Sequence, residues 1–110
     1  MAIARKIDPA ALARSFADEV SGVPEVRRIW YHAGQNPYDP ERISLSFYVL
    51  QDPDTSASVT AIATALTCVQ ERYVDEAVMS LEIMYFWQIE ARGLDQLLVE
   101  GSVEIPLRGA

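Results

Sequence analysis

Ile43-Ser44-Leu45-Ser46-Phe47-Tyr48-Val49-Leu50 is the stretch on which the fold turns. Its period is two: Ile43, Leu45, Phe47 and Val49 share one side, and Ser44, Ser46 and Tyr48 the other. Such alternation marks a β-strand with one face on a core. Asp52-Pro53-Asp54-Thr55 follows and opens a helix, because an Asp oxygen can satisfy the free N–H groups of a first turn. The period then changes: Val59, Ile62, Leu66, Val69 and Tyr73 lie three, four, three and four residues apart, so one side of a long helix faces a core. Ala57, Ala61, Ala63 and Ala65 raise its helix propensity and allow close packing. Asp75-Glu76 ends it, and Met79 to Trp87 returns to period two. Met79, Leu81, Ile83, Tyr85 and Trp87 form one face of that strand, and Ser80, Glu82, Met84 and Phe86 the other. Both faces are largely apolar towards its end, which suits a central strand or a covered interface.

Working outward towards the N-terminus, Ala33 to Glu41 carries Gly34, Asn36, Pro37 and Pro40 and reads as a loop. Val26 to His32, rich in branched and aromatic residues, reads as a strand. Before it, Asp8-Pro9 starts a helix whose stripe is Leu12, Phe16, Val20 and Val23, closed by Gly22 and Pro24. On the other side, Leu94 to Glu100 reads as a short helix ended by Gly101. Val103, Ile105 and Leu107 alternate as a brief last strand, with Pro106 placing it at an edge. The order α-β-β-α-β-α-(β) predicts an α+β fold over residues 1–110 as a single domain. Its mixed sheet should have three or four strands, with helices mainly on one face.

The chain has 110 residues, half of them hydrophobic, so a core can form without disulfides. Cys68 is the single cysteine and has no intrachain partner, which fits a reducing cytoplasm. No apolar run is long enough to span a bilayer, and Met1 to Lys6 leads into a mixed helix rather than an apolar signal core. The net charge of −7 repels phosphates, so neither nucleic acid nor a membrane is expected as a partner.

The element order and several local strings resemble the minimal nucleotidyltransferase family, small relatives of the polymerase beta palm. Ala33-Gly34 falls where that family has Gly-Ser at the end of its first strand. Ser44 and Ser46 occupy the two positions of its Asp-x-Asp, and Leu81-Glu82-Ile83 stands where it carries a third carboxylate. Leu97-Leu98-Val99-Glu100-Gly101-Ser102-Val103-Glu104-Ile105 resembles its closing helix and strand. The resemblance implies a nucleotidyltransferase-like sheet and a groove at Gly34, Ser44, Ser46 and Glu82. It also implies a degenerate copy, because neutral serine hydroxyls replace the anionic oxygens that hold divalent cations and triphosphate. No metal and no cofactor is therefore expected. In that family such domains work beside a helical partner protein, so the reading is a noncatalytic interaction or regulatory module, as a homodimer or with a helical partner. The alternatives are a magnesium-dependent nucleotide binder or nucleotidyltransferase using Glu82, and an unrelated small α+β interaction domain.

Other residues carry less. Asp52 and Asp54 form an Asp-x-Asp at a strand–helix junction, where capping accounts for them. Cys68 beside core positions reads as a small buried apolar residue. His32, the single histidine, has no identifiable nucleophile or orienting acid. The loop Gly34 to Pro40 lacks the glycines of a phosphate cradle. The aromatics are more suggestive: Trp30, Tyr31, Phe47, Tyr48, Tyr85, Phe86 and Trp87 all fall on expected strands. Core packing accounts for most of them, but one layer of helices leaves a sheet face bare, so Trp30, Tyr48, Phe86 and Trp87 are the candidates for a homodimer or partner interface.

Overall fold

The computed structural model describes residues 8–52 and 56–107. The chain runs α1 (Pro9–Val20), β1 (Val26–Gln35), β2 (Ile43–Gln51), α2 (Ser56–Arg72), β3 (Ala77–Tyr85), α3 (Phe86–Arg92), α4 (Leu94–Leu97), β4 (Val103–Ile105). The strands form one mixed sheet in the order β3-β2-β1-β4. β1 is antiparallel to β2 and to β4, whereas β2 and β3 are parallel, joined through α2. The expected α+β class and element order hold, with one short helix more than expected. The reading of the Asp54 cap and that of Met1 to Lys6 lie outside the described residues.

α1 begins as its sequence dictates. Asp8 Oδ1 accepts the Ala10 N–H at 3.1 Å, and Pro9 occupies the first turn, where a missing N–H costs nothing. Leu12, Phe16 and Val20 are buried with Ala13 and Ala17. α2 buries Ser58, Ile62, Ala65 and Val69, with Val59, Leu66 and Tyr73 half-buried. Its stripe is thus turned slightly from the expected one, and Ser58 Oγ accepts a hydrogen bond from Gln51 Nε2 at 2.7 Å. Cys68 lies outside that stripe and is exposed, not buried as its neighbours suggested.

α1 and α2 cover one face of the sheet, meeting Ile29, Leu45, Phe47, Val49, Met79 and Ile105. The rings of Phe16 and Phe47 lie 4.2 Å apart at its centre. The opposite face has its own smaller core of Trp30, Tyr48, Leu50 and Met84, covered by Ile89, Leu94, Leu97 and Leu98. Helices therefore lie on both faces, the long pair on one and the short pair on the other. This corrects the one-sided arrangement and the two interface rings with it. Trp30 and Tyr48 are 4% and 6% exposed, sealed by the chain's own α3 and α4.

Several boundaries also differ. β1 continues through Ala33, Gly34 and Gln35, which pair with Leu45, Ser44 and Ile43, so the hairpin is longer than its glycine suggested. The connection starts at Asn36, whose Oδ1 accepts the Tyr38 N–H at 3.0 Å, and Asp39 Oδ1 accepts the Glu41 N–H at 3.1 Å. β3 ends at Tyr85, where the Gln88 side chain takes the Tyr85 N–H at 2.9 Å and Phe86-Trp87 enter α3. α4 stops at Leu97, and Gly101, at φ +89°, turns the chain into β4.

β4 is fastened to β1 by more than its ladder. Arg28 donates through Nε to Glu104 Oε2 at 2.9 Å and through Nη2 to Oε1 at 2.6 Å, with the guanidinium 4.5 Å from the Trp30 ring centre. The hydrogen bonds from Arg28 hold the Glu104 carboxyl below the ordinary glutamate range. A depressed folded value means stabilisation present above the unfolded value of about 4.3 and lost as pH falls through the folded one. Both side chains are nearly half exposed, so solvent screening limits the pair to about 1 kcal/mol or less. Glu104→Gln should lose that much at pH 7 and progressively less at an acid pH below the depressed folded value, where Glu104 too becomes neutral. Urea denaturation at the two pH values measures it; an equal deficit at both would show that the carboxylate's charge is irrelevant.

Candidate functional site

The second sheet face divides into two halves. Strand pairing sets its rows, because residues opposite each other across a ladder point the same way. Arg28, Leu50 and Met84 form one row, and Trp30, Tyr48 and Glu82 the next. Most of these two rows lies beneath α3 and α4. His32, Ser46 and Ser80 form the third row, and Gly34, Ser44 and Val78 the fourth. These last two are half-buried or exposed and carry most of the polar groups of the face.

Gly34, Ser44, Ser46 and Glu82 are therefore brought to one face, with Ser80 among them. Ser80 Oγ donates to Ser46 Oγ at 3.2 Å. Glu82 is exposed beside Tyr48, whose phenol is pushed up by burial and, secondarily, by the Glu82 charge. His32 joins this group, which sequence reasoning did not foresee. A Cβ added at Gly34 would lie 3.7 Å from His32 Cε1, and one at Gly101 would lie 3.7 Å from Cδ2. The imidazole is thus flanked by two glycines, one on its own strand and one from the turn before β4. The signal was the cross-strand partnership of His32 with Ser46, which only the register reveals.

The donor set consists of three serine hydroxyls, one imidazole and one carboxylate. Among the described residues, no group of three His, Cys, Asp or Glu side chains could hold a metal ion. A magnesium–triphosphate unit needs several anionic oxygens converging on it, and the serines are neutral. The residues of this face do not fit such a centre. They suit hydrogen bonding to neutral polar groups.

The remaining candidates lie elsewhere. Asp52 has its backbone engaged, its N–H with Glu25 O at 2.8 Å and its carbonyl with Arg27 Nε at 3.1 Å. Phe86 and Trp87 are 45% and 63% exposed where β3 gives way to α3, and the Trp87 ring stacks on Tyr85 with centroids 6.5 Å apart. Among the described residues, no helix is long and apolar enough to cross a membrane.

No family model matches this chain, and neither a curated protein nor a solved structure does. The class that the fold and this face define is an α+β domain with a four-stranded mixed sheet, sealed on one half of its second face and polar on the other.

Proposed function

We propose that this chain is a noncatalytic domain of nucleotidyltransferase-like descent that works as a protein-interaction or regulatory module and associates with itself. The observation that carries this reading is the setting of β3. It has the apolar composition of a covered strand, yet it stands at a sheet edge with Val74, Val78, Phe86 and Trp87 exposed around its ends. Exposed apolar area concentrated at one place is the usual mark of a binding surface. The neutral hydroxyls of Ser44 and Ser46 support the loss of chemistry. A helical partner protein, as the family resemblance implies, is the other occupant this surface would take.

Calorimetric titration of nucleoside triphosphates with magnesium tests the noncatalytic part. No heat of binding is expected. Magnesium-dependent binding that Glu82→Ala abolishes would replace this reading with the nucleotide binder.

A further inference from the structure

We infer that two copies of this chain join edge to edge through β3, antiparallel and about a two-fold axis at Leu81, to make one sheet continuous across the dimer. The inference rests on the self-association proposed above and names its geometry. It follows first from which backbone groups of β3 are left open. Ala77 C=O accepts from Gln70 Nε2 at 2.8 Å, and Met79 N–H donates to Gln70 Oε1 at 2.7 Å. One side-chain amide thus imitates a strand neighbour at the start of the outer edge. Ala77 N–H is taken by Tyr73 O at 3.0 Å, and at the far end Tyr85 N–H is taken by Gln88. Backbone groups on a strand alternate sides, so Met79, Leu81 and Ile83 present theirs outward with those of Ala77 and Tyr85. Between the two glutamine plugs, the Met79 C=O and both groups of Leu81 and Ile83 have no partner among the described residues.

That open run is centred on Leu81 and is self-complementary. In antiparallel register Leu81 exchanges N–H and C=O with Leu81 of the second copy, and each Ile83 N–H meets a Met79 C=O. The Ile83 C=O of the second copy meets the Met79 N–H at the place that Gln70 Oε1 holds, so the Gln70 amide has to swing aside as the strands close. The same axis sets Glu82 opposite Ser80 of the second copy, a carboxylate against a hydroxyl that would turn from Ser46 Oγ to donate to it. It brings the exposed Phe86 and Trp87 end of each strand to the Val74 and Val78 end of the other. A two-fold contact requires such a match between one end of a patch and the other. At the opposite edge β4 is three residues long and is followed by Pro106.

Position 80 gives a clean test, because Ser80 is exposed and its substitution leaves the core alone. Ser80→Lys places a cation opposite each Glu82 and should tighten the dimer; Ser80→Glu places like charges there and should loosen it. The dissociation constants, read by sedimentation equilibrium at low salt, should differ by about tenfold or more and converge as salt rises. Leu81→Pro should abolish the dimer, because it deletes an outward N–H that the β2 ladder does not use. A native chain that stays monomeric at several hundred micromolar overturns the pairing and the self-association together. A dimer with the same constant in both Ser80 variants overturns only the pairing through β3 and leaves the interaction reading in place.

Discussion

Phe47→Ala is expected to lower the unfolding free energy by about 3–5 kcal/mol, close to the largest loss a single core substitution causes. Phe47 is fully buried in the middle of β2, opposite Tyr31 on one neighbouring strand and Leu81 on the other. Its ring meets Phe16 of α1 at 4.2 Å, so it joins the sheet to the helical layer as well as filling the space between them. Backbone pairing on both sides of β2 keeps the surroundings from collapsing into the cavity, which puts the cost at the upper end of the range. Domains of this kind are stable by about 5–15 kcal/mol in total, so much of the native population would be at risk. Urea denaturation followed by far-UV circular dichroism measures the change. A loss below about 1 kcal/mol would mean that the two layers can close over the missing ring.

Trp30→Ala should cost a similar amount, about 3–5 kcal/mol, with a more local consequence. Trp30 is the largest member of the second core, covered from above by Ile89, Leu94, Leu97 and Leu98 and flanked by the Arg28 guanidinium. α3 and α4 are short, and neither has a fully buried residue of its own. Their attachment depends on the apolar area supplied by Trp30, Tyr48, Leu50 and Met84. Removing the indole should therefore release protection from hydrogen exchange across residues 86–98 before the rest of the sheet opens. The mass in solution should not change. The reverse pattern, unchanged stability with a lost dimer, would make Trp30 the surface ring that the aromatic clustering of the sequence suggests.

The difference between what the sequence conveyed and what it did not is clearest on β2 and β3. Ser44 and Ser46 could be assigned to the face away from Phe47 because strict alternation leaves no other choice. The α1 stripe at Leu12, Phe16 and Val20 was equally legible, since only a helix brings residues four apart together. Phe86 and Trp87 were assigned to the strand because aromatics continue a period of two as well as they begin a helix. What ends β3 is the Gln88 side chain folding back on Tyr85, a local hydrogen bond with no compositional trace. α3 has seven residues and no Ser, Thr, Asp or Asn before it, so it lacked the usual starting signal. Cys68 was misplaced by about one residue's rotation around α2, the angle separating it from buried Val69.

The polar face was only half legible for a different reason. Its residue types can be read from single strands, but which of them meet depends on the register between strands. His32 lies opposite Ser46 because of the hairpin, and Ser46 lies opposite Ser80 because of a parallel crossover through α2. Neither offset is written in any one segment. For the same reason the sequence suggested a covered strand at Met79 to Trp87 without saying that it is an edge.

The position of β4 has a consequence for how the protein is made. β4 closes the sheet by pairing Ile105 with Ile29, so the strand it joins leaves the ribosome long before it does. Throughout that interval the β1 edge that β4 will occupy stands open, and Trp30 waits for the covering helices. Contacts between such distant segments form slowly, and an unpaired edge beside exposed indole is the feature on which nascent chains stick to one another. Slow translation anywhere between β1 and β4 would lengthen that exposure, so the yield of soluble protein should fall as synthesis of residues 36–105 is slowed.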